Sequence, residues 1–345
     1  MLAVSCQSDA TDEEQPGPGD PAVQARPYPW KKPANFPEPV YDFKNNPLTY
    51  EGIALGKALF YDGRLSRNGT ISCGFCHQPT SAFAHTDHAL SHGIDDRIGF
   101  RNPLGIQNVA WMQEFFWDGG IPDLDLLPLA PIQNPDEMDA KPEDILKAVQ
   151  ADGTYPGMFK AAFGSEQVTS ERFLKALSQF MLTLVSGTSR YDKYIRKEGE
   201  TLTEQELSGL TIFKARCATC HAGELFTDQS FRNNGLPVLA GVKTEDLGRY
   251  RVSARPEDKN KFRVPSLRNV AVTLPYMHDG RFQTLEQVLN HYATGVTDNP
   301  ALDPSLKAGG RTGIPLSRQE QRDLIAFLQT LTDFEFIGNR RFQPD

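Results

Sequence analysis

No stretch of about 18 apolar residues occurs in the 345-residue chain, so no segment has the length and hydropathy of a membrane-spanning helix. Cysteine is nearly absent too. Five occur, and four of them sit in two pentapeptides, which excludes a disulfide scaffold as the source of stability. Residues 1–25 hold no Lys or Arg but five acids (Asp9, Asp12, Glu13, Glu14 and Asp20), and setting these aside takes the net charge from −8 to −3. So nearly neutral a body lacks the basic surface that nucleic acid demands, and nucleic acid is excluded as a partner. Methionine is missing after Met277, which leaves the C-terminal stretch without a thioether. The remaining composition, 39% hydrophobic and 23% charged, suits a globular chain long enough for two domains with cores of their own.

What is present is a repeated pentapeptide, Cys73-Gly-Phe-Cys76-His77 and Cys217-Ala-Thr-Cys220-His221. C-x-x-C-H is the attachment signature of a c-type haem. Two thiols three positions apart each form a thioether to a vinyl group, and the next residue supplies a neutral imidazole under the iron. A zinc site and a thioredoxin-like redox pair are the plainer alternatives. Zinc needs four ligands close together, and nothing fixes motifs 144 residues apart into one site. A redox C-x-x-C does not call for His at both fifth positions. The pair predicts two covalent haems.

The fifth cysteine, Cys6, follows Leu2-Ala-Val-Ser5 and precedes an acidic stretch with Pro and Gly. That arrangement resembles the end of a bacterial lipoprotein signal with Cys6 as the lipidated residue; the alternative is a stray thiol in a tail. Residues 7 to about 30 read as a solvated tether with no means of building a core. Thioether haem attachment is chemistry of exported proteins, so the expected location is the periplasm or cell envelope, with a lipid anchor at Cys6.

Helical periodicity frames both motifs. Ala54, Leu55, Leu59 and Phe60 lead into the first through a Gly-rich loop. Before the second, Thr203 and Glu206 form a capping box, Leu202 and Leu207 a hydrophobic staple, and the helix from Glu204 runs through Leu210 and Phe213 into Cys217. Each half closes on an amphipathic helix: Phe173, Leu174, Leu177, Phe180, Met181 and Leu184 in one, and Leu324, Ile325, Phe327, Leu328 and Leu331 behind a Ser317–Glu320 capping box in the other. These stripes are core packing. The expected fold is mainly α, as two cytochrome-c-like α-helical domains with long loops and one covalent haem in each. The division is a tail over 1–30, a first domain over 31–190 and a second over 191–345, joined near 187–201.

The loops carry further motifs: Arg101-Asn-Pro103, Phe116-Trp-Asp-Gly119, Asn134-Pro-Asp-Glu-Met138, Val264-Pro-Ser-Leu-Arg-Asn-Val270 and Pro275-Tyr-Met-His-Asp-Gly-Arg281. With the haem motifs, in this order over roughly residues 45–335, they resemble the bacterial di-haem cytochrome c peroxidase superfamily, which includes the MauG proteins. The resemblance implies that the haem on His77 meets peroxide, with Glu137 as the acid that moves a proton between the two peroxide oxygens. It implies that Trp117 bridges the haems, whereas Trp111 stands as an internal control for core packing. Asn102, with the carbonyls of Thr273 and Pro275, matches a calcium position that leaves most of the ion's oxygens to water. His92 stands nearest the loop position of a removable sixth ligand, two residues out of the family spacing to Asn102; a solvated loop His is the alternative. His278 looks like the family histidine near the second haem, within reach of its propionates.

Two departures matter. Where the peroxidases place a Met ligand, fourteen residues past His278, stands Tyr292, as in MauG proteins. A phenolate favours oxidised iron and lowers the potential, which argues for a haem that shares oxidising equivalents through Trp117. His291 is the competing ligand and Met277 a more remote one. Leu127 also replaces the family's Gln ten residues after the bridging Trp, and Gly120 replaces its Arg, so the peroxide pocket loses a polar donor. The leading expectation is a di-haem peroxidase that reduces hydrogen peroxide to water with electrons from a small redox protein such as a cytochrome c. A MauG-like oxidase acting on side chains of a partner protein keeps the site and changes the substrate. A di-haem electron carrier without catalysis is the remaining class. Homodimers are common in the family.

Overall fold

Four capped, apolar-striped segments become the principal helices. In the computed structural model, which describes residues 24–238 and 245–344, they are Tyr50–Tyr61, Ser170–Leu182, Glu204–Arg216 and Arg318–Gln329. Thr49 and Thr169 cap the first two, accepting from the amides of Gly52 and Arg172. Both expected capping boxes form, Thr203 with Glu206 and Ser317 with Glu320. The staple does not. Leu202 is buried, but Leu207 stays 37% exposed, because the helix packs through the face that bears Gly209, Leu210 and Phe213. Cys6 and most of the expected acidic tether lie outside the described residues.

The helices pair in sequence order. Tyr50–Tyr61 lies on Ser170–Leu182, and Glu204–Arg216 lies on Arg318–Gln329. Both pairings depend on a glycine at the crossing. A Cβ on Gly56 would stand 1.9 Å from the carbonyl of Ala176, and one on Gly209 would stand 1.9 Å from the carbonyl of Asp323. Around the first pair lies a core with Phe60, Phe83, Phe159 and Phe180; around the second lies one with Phe213, Phe226, Leu324 and Phe327. The chain does not keep the two apart. Phe336, near the C-terminus, buries itself in the first core. The stretch near 187–201 carries a helix, Arg190–Ile195, with its own Ser189–Asp192 capping box, and Tyr191 enters the second core.

Strand is sparse among the described residues. Two-residue strands pair Phe231–Arg232 with Phe262–Arg263, and Lys307–Ala308 with Arg311–Thr312. The helix Leu285–Asn290 continues into a π-helical turn, His291–Gly295. No helix among the described residues is long and apolar enough to cross a membrane.

A loop motif occurs twice. Asn108 and Asn269 both adopt left-handed conformations (φ 59° and 60°) ahead of short 3₁₀ turns. Eight residues on, Phe116 and Met277 do the same (φ 64° and 75°), inside tight loops closed by the bridges Phe115–Ile121 and Tyr276–Phe282. Trp117 and His278 follow at equivalent points. The two loops face each other.

Candidate functional site

His77 follows the single helical turn Cys73–Cys76, and its Nδ1 lies 2.8 Å from the carbonyl of Phe83. A carbonyl can only accept, so Nδ1 carries the proton and Nε2 keeps a lone pair for a metal. Phe83 reaches that position with φ 60°, held there by complete burial. His221 is prepared alike, with Nδ1 3.1 Å from the carbonyls of both Phe226 and Pro265, and Phe226 has φ 54°. Burial lowers both imidazole pKa values, which favours the neutral ligand form. The thiols move the other way. Burial raises Cys73 and Cys217 to about 12 and Cys76 to about 11. A redox C-x-x-C works through a depressed thiol, and burial moves these the other way.

Around the first motif, the loop after His77 clips the Glu137 segment in place. The Cys76 thiol lies 3.7 Å from the carbonyl of His92, and the Ile94 amide donates to the carbonyl of Glu137 at 2.8 Å. Gly93 lets the two strands of chain touch, since a Cβ there would stand 2.1 Å from the carbonyl of Asp136. Glu137 is thus brought beside the cysteines. Burial pushes its carboxyl pKa up, the Asn134 side chain opposes the rise and Asp136 adds to it. Leu127 packs on the first core. The His92 ring turns toward Asp96, with Nε2 at 3.5 Å, and toward His88, with ring centroids 5.0 Å apart. His88 in turn meets buried His85, Nδ1 to Nε2, at 3.3 Å.

His221 borders a cavity of about 440 Å³ between the two cores, with walls that include Leu225, Val264, Leu285, Leu289 and Leu328. An apolar slot with an imidazole whose Nε2 is free and two cysteines at its edge suits a haem macrocycle. Tyr292 and Met277 border the same cavity; His291 does not, and its Nε2 lies 3.1 Å from the carbonyl of Asn234. The π turn carries Tyr292 there, an irregularity typical of functional sites. Burial raises the Tyr292 phenol to about 12, with the Asn234 side chain opposing. Asn234 also points its amide at the Met277 sulfur, 3.6 Å away. Nothing in the sequence marks Asn234, because its partners lie dozens of residues away.

Trp117 lies on the cavity wall at the junction of the cores, only 8% exposed, with Nε1 donating to the carbonyl of Asn102 at 2.8 Å. The Asn102 amide donates to the carbonyl of His278 at 2.7 Å. The His278 ring stands edge-on to Trp117 at 6.5 Å and stacks on Phe262 at 3.7 Å. Burial lowers its pKa to about 4, so it is neutral. Trp111 borders the same cavity but packs into the first core, against Phe36 and Trp30, and donates to the carbonyl of Pro37 at 2.9 Å. Asn102, Thr273 and Pro275 border one cavity, and the Asn102 Nδ2 donates to the carbonyl of Ala89, which leaves Oδ1 for a hard cation.

Comparison with known proteins fits this arrangement. Residues 50–200 match the di-haem cytochrome c peroxidase family. The methylamine utilization protein MauG of Methylorubrum extorquens is 37% identical, over 90% of this chain and 84% of its own. The cytochrome c551 peroxidase of Nitrosomonas europaea is 35% identical, over 86% of this chain and 84% of its own. The crystal structure of a MauG-like protein associated with microbial copper homeostasis superposes with a TM-score of 0.81 and 35% identity, covering 92% of this chain and 99% of that one. The chain belongs to the di-haem cytochrome c peroxidase family, an oxidoreductase family that holds both peroxidases and MauG proteins. The family implies two c-type haems, and this chain brings both attachment motifs.

Proposed function

We propose that the chain uses hydrogen peroxide as oxidant at the His77 site and draws the electrons, through Trp117 and the His221 site, from an amino-acid side chain of a partner protein. The observation that carries this reading is Tyr292, which shares a cavity with His221 while His291 is held by Asn234. A phenolate ligand disfavours a high-potential electron entry port. The haem on His77, when bound, supplies the redox chemistry of O–O cleavage. Glu137 takes the proton of the near peroxide oxygen and returns it to the far one, which leaves as water. Trp117, an oxidisable indole on the wall of the His221 cavity where the two cores meet, conducts. Asn102, Thr273 and Pro275 hold calcium and so brace the junction from which Trp117 is hung. Thioether attachment of haem is chemistry of exported proteins and supports a periplasmic location.

The peroxidase reading, with electrons from a small cytochrome, keeps the same first site and is favoured by one observation: Met277 also borders the second cavity, next to Asn234. Two measurements separate the readings. Tyr292→Phe is expected to change the low-spin haem spectrum and Met277→Leu to leave it unchanged; the reverse pattern returns the assignment to a peroxidase. Steady peroxide turnover with a reduced small c-type cytochrome is expected to be slow, and rapid turnover would overturn the oxidase reading.

A further inference from the structure

Arg263 is a buried cation with no ion pair among the described residues. It is 4% exposed on the strand Phe262–Arg263. Its backbone amide donates to the carbonyl of Trp117 at 2.8 Å, and its Nε donates to the carbonyl of Phe116 at 3.1 Å. The two Nη groups have no acceptor among the described residues, and Arg263 lies on the wall of the His221 cavity. Two other arginines on that wall are neutralised. Arg232 pairs with Asp228 and Asp303, and Arg268 pairs with Asp192. The acid that Arg263 feels, Glu114, is itself engaged by Arg249 at 2.9 Å. Burial lowers the guanidinium pKa to about 10, so it stays charged at neutral pH.

An isolated charge in an apolar cavity is expensive unless an opposite charge arrives with the ligand. A haem brings two carboxylates, and a guanidinium fork is the geometry that grips one through parallel hydrogen bonds. We infer that Arg263 clamps a propionate of the haem attached at Cys217 and Cys220 and ties that carboxylate edge to the turn that carries Trp117. Arg263 is then a positioning residue. Its backbone and Nε hold the carbonyls of Trp117 and Phe116, and its Nη groups hold the haem, so the distance between indole and macrocycle is set by one side chain. This rests on haem attachment at the second motif.

The test compares Arg263→Gln and Arg263→Lys with the parent holoprotein. A haemochrome count of two per chain checks the attachment separately, and a count of one in the parent would overturn the clamp together with the reading beneath it. With two haems bound, Arg263→Gln is expected to lower the midpoint potential of the haem attached at Cys217 and Cys220, since a positive charge beside the porphyrin favours the reduced state. It is also expected to shift the propionate bending band in the resonance Raman spectrum. Arg263→Lys, which keeps the charge and loses the fork, should recover the potential but not the band. An unchanged band in the Gln variant overturns the assignment even if the potential falls, because the charge would then act from a distance. If the Gln variant does not accumulate, the Lys variant decides: a shifted band supports the clamp and an unchanged one sinks it.

Discussion

His77 and His221 share one device, a carbonyl in a left-handed turn that accepts the Nδ1–H hydrogen bond, so Nε2 is the iron-facing nitrogen in both; His221 adds a second acceptor, the carbonyl of Pro265. Whatever distinguishes the two sites must come from other residues. Glu137 is the clearest of these. Replacing it with Gln removes a proton carrier and keeps the volume, and the expected loss in peroxide reactivity is about 10²–10⁴-fold, with the resting haem spectrum unchanged. Its pH behaviour supplies an independent check. Burial holds its pKa above the ordinary carboxylate value of about 4.3. Only the ionised form can take the first proton, so the rate of reaction with peroxide should fall as pH drops through that raised value. A stopped-flow pH profile should show this acid limb in the parent and none in Glu137→Gln.

At the scale of elements, each half is a pair of helices crossing at a glycine. Gly209→Ala forces a methyl group against the backbone of Asp323, which cannot give way as a side-chain tip could, and about 1–3 kcal/mol of stability should be lost. Gly157 is the control. It lies exposed in the helix Tyr155–Phe163 with nothing within 4 Å of an added Cβ, so Gly157→Ala should stabilise by about 0.5–1 kcal/mol. Thermal unfolding followed by far-UV circular dichroism, on protein with both haems attached, reads both. The four principal helices, two capping boxes and the haem motifs were legible in the sequence because each is written in residues three or four apart. The helix Arg190–Ile195 was not. Its six residues carry too little periodicity, and what holds it is Tyr191 in a distant core and Asp192 on Arg268. The paired loops that end in Trp117 and His278 escaped for a related reason. They share backbone shape, with left-handed Asn108 and Asn269 at matching points, more than they share side chains. Of the second site, Tyr292 could be found by its spacing from His278. Asn234 and Arg263 could not, since only the folded chain brings them to the cavity wall.

At the scale of the molecule, the two cores are joined by buried polar groups. Gln107 donates to the carbonyl of Arg268 at 2.7 Å and accepts from Asn269, and Asn269 also donates to Ser186 at 2.9 Å. Ser186 donates to Asp333 at 3.0 Å, and the Asp333 amide returns to Asn269 at 2.7 Å. Beside this network lies the Arg268–Asp192 pair, both side chains 0% exposed and bonded twice at 2.8 Å. Burial pushes the Asp192 pKa up, and the Arg268 fork more than offsets it, so the net shift is downward. A lowered carboxylate contributes stability that is present above its unfolded value and is lost as pH falls through the folded one. Arg268→Met leaves Asp192 buried without its counter-ion, and should cost about 3–5 kcal/mol near neutral pH. Adding Asp192→Leu should restore only part of that, because it removes the stranded charge but also the Ser189–Asp192 capping box. As pH falls, Asp192 in the single variant can take up a proton and shed its charge, so the gap in thermal midpoint between parent and Arg268→Met should narrow. A gap that stays constant or widens toward acid would show that the pair acts through packing against Phe36 and Phe226 instead of through charge.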